Sequence, residues 1–227
     1  EPMDVHVQQD VDEFFNLLCD KLEDLLRPTK YSKLLRSHLG GTLVHEILSC
    51  ESELPYRGER EEQFMRLSLE IKNKKNLQEA LDLYIKEDVL DGDNKYFCEQ
   101  YNQKITAKKR CLINSLSNTV VVHLKRFEFD FTRMQRIKVN DYCEFPMNLN
   151  FKPWTKDGVM GTNEKPDDYY EFELVGVLVH SGVADAGHYY SFIKDRSSKV
   201  WYRFDDRNVE VFNPENLKEE CFGGEGN

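Results

Sequence analysis

No apolar run in the 227 residues approaches the roughly 18 needed to cross a bilayer, and Glu1 opens neither a signal peptide nor another targeting segment. A soluble chain with no membrane partner is therefore expected. Positive charge is also short: 31 Lys and Arg against 41 Asp and Glu leave a net −10 and a pI near 5.2. That balance argues against nucleic acid as a partner and suits a basic protein surface or tail. Cysteine is sparse, with Cys19, Cys50, Cys98, Cys111, Cys143 and Cys221 scattered singly. Such spacing speaks against a disulfide framework and for reduced thiols in the cytosol or nucleus. Internal repeats and long linkers are missing too. Only "KDGVMGTNEKPDD" (156–168) has the Gly, Asn, Pro and charge content of an exposed loop.

What is present suffices for a real core, since 40% of the residues are apolar, in one large domain or a domain with a subdomain. "QQDVDEFFNLLCDKLEDLL" carries Val11, Phe14, Phe15, Leu18, Leu22, Leu25 and Leu26 at helical spacing, and Pro28 stops it. This predicts a helix with one buried stripe and Cys19 beside it. Asp10 and Glu13 have the spacing of a capping box, so capping and a binding role stand side by side. A second helix is predicted over "NLQEALDLYIKED" (76–88), capped by Asn76 with Glu79 answering it. Strands are expected at 119–131, 169–182, 188–195 and 199–206. In the first of these the apolar parity shifts from Val120, Val122 and Leu124 to Phe127, Phe129 and Phe131, which predicts a bulge or bend near Lys125 and Arg126.

One histidine stands out. In "AGHYYSF" (186–192) His188 follows a glycine and sits in strand-like sequence. If the last two strands join through a two-residue turn at Ser197 and Ser198, paired residues have numbers summing to 395. His188 then faces Arg207, Asp205 becomes its diagonal neighbour at about 7 Å, and Asp206 points to the opposite face. A three-residue loop reverses that choice. A carboxylate beside an imidazole can hold the ring in the tautomer whose other nitrogen takes a proton from Ser or Cys. It can equally be structural. Gly187 would let a substrate backbone pass close to such a base.

Five motifs occur in a telling order: "QQDVDEFF", "VVHLKRFEFD" with "IKVNDYCEFP", "LVGVLVHSGVADAGHYYSFIKD", "WYRFDD" and "CFGG". Together, from Gln8 to about Gly224, they resemble the ubiquitin-specific protease family. The resemblance implies an α+β, papain-like cysteine protease of fingers, palm and thumb that hydrolyses the bond after the C-terminal glycine of ubiquitin. Ubiquitin and ubiquitinated proteins would be its partners, with no cofactor. It implies thumb helices over 1–40, a fingers-like region over 41–115 and a palm over 116–227. By motif, His188 matches the general base, Asp205 the residue that orients it, and Asp206 a second acidic position that assists in some relatives. Gln8, Asp10 and Glu13 match positions that approach the arginine-bearing ubiquitin tail, which carboxylates can meet with charge-assisted hydrogen bonds. Phe127 falls where the family lines the tail channel, Gly187 and Tyr189, which flank the base, are expected to bind the tail with it, and "SGVADAG" (181–187) matches a loop beside the cleft.

The chain also departs from the family. The nucleophile motif, of the form N-T-C-Y before the glutamine box, is not found, nor is the closing "A-Y-M-L" type strand. None of the six cysteines has the context of an activated thiolate at a helix N-terminus. The expectation is a catalytic domain lacking its N-terminal thumb part and last strand, with the nucleophile upstream of Glu1. The two Cys-x-x-Cys pairs that hold zinc in many relatives read "CESE" (50–53) and "CEQY" (98–101). Two thiols of four remain. Glu53 or His45 could substitute, but lost zinc is the reading preferred, with packing holding the fingers together. The competing function is a non-catalytic ubiquitin-binding module. A Ser-His-Asp hydrolase is disfavoured because no G-x-S-x-G elbow is present.

Overall fold

The computed structural model describes residues 10–184 and 186–224. Asp10, in extended backbone, accepts hydrogen bonds from the N–H groups of Asp12 (2.7 Å) and Glu13 (3.3 Å), which starts helix α1 (Val11–Leu26). The expected buried stripe needs correcting. Cys19 is the one buried residue of α1, while Phe14, Leu17 and Leu18 are more than 40% exposed and Leu25 is 71% exposed. Periodicity tells which side of a helix is apolar; whether anything covers that side depends on the rest of the molecule. Polar contacts hold α1 instead. Arg66 donates to Asp12 (2.7 Å) and Asn16 (2.5 Å), and Arg36 of helix α2 (Leu34–Leu39) donates to Glu23 at 2.9 Å.

The hairpin of β1 (Gly41–Ser49) and β2 (Arg57–Phe64) leads to β3 (Leu67–Glu70) and helix α3 (Leu77–Tyr84), which ends sooner than the expected 76–88. Asn76 caps it by accepting from Glu79 N–H at 2.9 Å. The Glu79 carboxylate answers at Lys75 N–H (2.9 Å), one residue before the position a capping box would use. Strand β4 (Asp88–Leu90), the hairpin of β5 (Tyr96–Cys98) and β6 (Gln103–Ile105), and β7 (Ala107–Ser115) follow. One antiparallel sheet has the order β2-β1-β7-β4. Its buried Glu46 accepts from Arg57 (2.7 Å) and Arg110 (2.5 Å), so the buried charge is paired on both oxygens.

Strand β8 (Val122–Lys125) pairs in parallel with β3, whereas β9 (Phe127–Asp130) pairs with β10 (Gln135–Lys138). The chain changes partner at Arg126, where the parity shift predicted a bend. The Arg126 guanidinium turns inward and donates to the carbonyls of Val139 (3.2 Å), Asp141 (3.0 Å) and Phe222 (3.2 Å). Between β11 (Asn148–Asn150) and β12 (Glu171–Glu173), residues 156–168 are not simply the loop that their composition suggested. They hold the short helix α4 (Lys156–Met160), capped by Thr155 and closed by Gly161 at φ 68°, so that glycine is a helix terminator.

The second half ends in an antiparallel sheet of β13 (Gly176–Val183), β14 (Ala186–Lys194), β15 (Trp201–Asp205) and β16 (Asn208–Phe212), in that order. Phe192 and Trp201 on one face pack with Leu217 and Cys221 of helix α5 (Leu217–Cys221). A larger core gathers Leu67, Leu69, Ile71, Leu81, Ile113 and Tyr170. Helices segregated from mainly antiparallel sheets make the class α+β, as expected.

Candidate active site

β14 and β15 pair in the register whose residue numbers sum to 395, for example Ser191 with Phe204. The turn is longer than two residues: Asp195 N–H donates to Val200 O and Lys199 N–H to Asp195 O, each at 2.9 Å, around a four-residue loop. Adding one residue on each side leaves the register unchanged, so the parity argument holds. His188 Nε2 and Asp205 Oδ1 are 2.6 Å apart, and the side chains are 45% and 27% exposed. Because Asp205 accepts the Nε2 proton, the neutral ring carries its lone pair on Nδ1. The hydrogen bond that His188 donates to Asp205 is the main cause raising the His188 pKa, and the same bond lowers that of Asp205.

Asp206 is a correction. Strand alternation would send it to the opposite face, but β15 ends at Asp205 and Asp206 takes φ 51° in the turn. One oxygen each of Asp205 and Asp206 and one nitrogen of His188 lie within 4.8 Å of one another. Left-handed backbone at a non-glycine residue returns the carboxylate towards the imidazole.

The tail-binding candidates divide. Phe127 packs edge-on against His180, with ring centroids 5.1 Å apart, and the Tyr189 ring lies tilted against the same imidazole at 4.7 Å. The Tyr189 hydroxyl also hydrogen-bonds the backbone of Val11, which joins the start of α1 to β14. Gly187 is required from within: a Cβ there would lie 2.2 Å from Ser181 O and 2.3 Å from His180 Nε2. Asp10 caps α1, yet its charge still acts on His180 and Tyr189. Glu13 is exposed on the first turn. Gln8 lies outside the described residues.

Sequence reasoning missed His180, Lys138 and Arg203. His180 pairs with Tyr189 across β13 and β14, and its pKa is pushed down first by burial and then by Lys138. Lys138 Nζ donates to the carbonyls of His180 (2.8 Å) and Gly182 (3.1 Å), fastening β10 onto β13. Arg203 Nη2 donates to Asp205 Oδ2 at 3.0 Å. A legible signal existed for Arg203, which lies two residues before Asp205 on the same strand face.

Burial raises the pKa of Cys19, Cys111 and Cys143, and takes that of Cys221 to about 12. Those are the surroundings of inert core thiols. Cys98 is buried in the β5–β6 hairpin, and Cys50 is exposed beside Thr106. Among the described residues neither belongs to a group of three clustered metal-ligand atoms. Around them Tyr56 stacks on Tyr96 at 5.6 Å, and Tyr101 donates to Pro55 O at 2.8 Å.

The sequence profile of the family described as ubiquitin carboxyl-terminal hydrolase matches residues 1–221. Ubiquitin carboxyl-terminal hydrolase 9X of Mus musculus is 39% identical over 99% of this chain, and ubiquitin carboxyl-terminal hydrolase 24 of Homo sapiens 38% over 97%. The chain spans about a tenth of the length of these relatives, 10% and 9% respectively. Among solved structures, a SAGA DUB module of Ubp8, Sgf11, Sus1 and Sgf73 bound to monoubiquitin superposes with a TM-score of 0.81 at 29% identity. That match covers 96% of this chain and 47% of that one. With its fold, motif order and sequence all in agreement, the chain belongs to the ubiquitin carboxyl-terminal hydrolases of the ubiquitin-specific protease type.

Proposed function

We propose that this chain supplies the base, its orienting carboxylate and the tail-binding surface of a deubiquitinating thiol hydrolase. The observation that carries the reading is the 2.6 Å contact between His188 Nε2 and Asp205 Oδ1, which leaves Nδ1 to take a proton. In the reaction a cysteine thiol gives its proton to Nδ1 as its sulfur attacks the carbonyl of ubiquitin's terminal glycine. The imidazolium then returns that proton to the leaving amine as the C–N bond breaks, and water hydrolyses the thioester with Nδ1 again as base. Asp205 stabilises the imidazolium at each stage, and Asp206 adds a second negative charge nearby. Asp10, Glu13, Phe127, Gly187 and Tyr189, with Gln8, form the side that meets the ubiquitin tail.

The nucleophile is none of the six cysteines. The 227 residues alone are therefore expected to form no adduct with ubiquitin carrying a C-terminal thiol-reactive trap, when the mixture is weighed by mass spectrometry. A longer form of the protein that supplies a family-type cysteine should hydrolyse a ubiquitin C-terminal amide, and His188→Ala should remove about 10²–10⁴-fold of that rate or more. An adduct on the short chain that is lost in His188→Ala would make one of its own cysteines the nucleophile. A longer form that binds ubiquitin without cleaving it would make the protein a binding module.

A further inference from the structure

The surroundings of Asp205 carry an element that the base–orienter pair does not itself explain. Asp205 uses its two oxygens for two different partners: Oδ1 accepts from His188, and Oδ2 accepts from Arg203 Nη2 at 3.0 Å. The Arg203 guanidinium lies over the ring of Tyr190 at 4.7 Å from its centroid, and the Tyr190 hydroxyl donates to Glu220 at 3.2 Å. Glu210, across the sheet on β16, is a long 3.9 Å from Arg203 and largely exposed. Arg203 Nε is buried with no hydrogen-bond partner. A buried donor left unsatisfied costs stability, so packing alone is a poor reason for an arginine at this position.

We propose that Arg203 is a positioning residue for the base: its guanidinium, laid on the Tyr190 ring, holds the second oxygen of Asp205 and so fixes the carboxylate to which His188 donates. The planar fork suits this task because it fixes direction as well as charge, while the aromatic face limits how the fork can turn. Without it, the Asp205 side chain is free to rotate away from the imidazole. The inference rests on the reading of His188 as base and Asp205 as orienter.

Two effects of removing Arg203 have opposite signs, and that makes the inference testable. The groups acting on His188 are Asp205 and Asp206, which raise its pKa, and Arg203, which lowers it. Arg207, Asn208 and Glu210 line the same side of the β15–β16 hairpin, and Glu220 approaches from α5 through Tyr190. If Arg203 acted only as a charge, its loss would raise the His188 pKa further. If it holds Asp205 in place, its loss weakens the largest raising influence, and the pKa falls.

The experiment is an NMR titration of the His188 ring in the 227-residue chain, with the signal assigned by His188→Gln. Arg203→Gln is expected to shift the His188 midpoint to lower pH. Arg203→Lys, which keeps the charge and loses the fork, should shift it in the same direction. In an Asp205→Asn background, Arg203→Gln should produce no downward shift. An unchanged His180 signal verifies that the sheet of β13 to β16 remains folded, an unchanged His123 signal does so for the β3–β8 pair, and Arg203→Lys carries the test if Arg203→Gln does not fold. An upward shift in Arg203→Gln with no shift in Arg203→Lys would overturn positioning in favour of a bare charge effect. An unshifted midpoint in both variants would overturn the proposal outright. Catalysis does not enter this measurement, so failure of the functional reading would appear separately: as a longer form that binds ubiquitin without cleaving it, or as amide hydrolysis that survives His188→Ala and removes His188 as base.

Discussion

At the scale of single residues, two carboxylates near the imidazole have different geometries and should have different effects. Asp205 shares the Nε2 hydrogen bond and Asp206 reaches the pair from the turn. In a hydrolytically active form, Asp205→Asn should lower kcat far more than it changes ubiquitin Kd, because the neutral amide disturbs the ring's tautomer and its imidazolium and leaves the docking surface intact. Asp206→Asn should cost much less. Steady-state kinetics on the two variants rank them, and equal losses would mean that the acids act as one unit. Asp10 poses a similar question, since it caps α1 and its charge acts on His180 and Tyr189. Asparagine caps a helix about as well as aspartate, so Asp10→Asn removes the charge and keeps the cap. Thermal stability should stay the same while ubiquitin binding weakens, most clearly at low salt where charge attraction is least screened. A fall in Tm with unchanged binding would reduce Asp10 to a cap.

At the scale of elements, the fingers test whether two missing ligands mean a missing metal. Glu53 and Tyr101 stand where the second ligand of each pair would be, and Tyr101 is engaged with Pro55. The β5–β6 hairpin is braced by the Tyr56–Tyr96 stack, buried Cys98 and Ile105, and a 2.7 Å bond from Thr106 N–H to Glu51. Metal analysis of purified protein should find well under one zinc per chain, and a chelator should leave Tm unchanged. Stoichiometric zinc, lost with a fall in Tm, would contradict this account.

At the scale of the whole molecule, α1 meets the β3–β8 pair at a half-buried histidine. His123 Nδ1 lies 3.3 Å from Ser68 and 3.4 Å from Asp12, and its pKa is lowered chiefly by burial, against the pull of Asp12. The unfolded chain therefore binds a proton at this site more readily than the folded one. Stability from His123 is complete above the ordinary histidine value near about 6.5 and declines as pH falls below it towards the lower folded-state pKa. Melting curves should show a larger drop in Tm between pH 7 and pH 5.5 for the natural chain than for His123→Gln. A parallel drop in both would mean that His123 titrates alike in the folded and unfolded states.

The sequence by itself determined what depends on short stretches of chain. Side chains alternate along a strand whatever surrounds it, so the sequence confined the choice to Asp205 for a turn with an even number of residues and Asp206 for an odd one, and the four-residue loop between β14 and β15 selects Asp205. Capping at Asp10 and Asn76 and the bend at Arg126 are equally local. Tertiary structure decided what depends on neighbours far apart in sequence. The apolar side of α1 was legible but its exposure was not, because burial depends on which elements lie against a helix. Asp206 returned to His188 because backbone torsion in the turn, and not strand parity, sets its direction. The need for Gly187 came from the packing of His180 against it, and His180 is gripped by Phe127, Tyr189 and Lys138 from three different strands. Such contacts carry no periodicity or spacing of their own, since they exist only after separate elements have packed together.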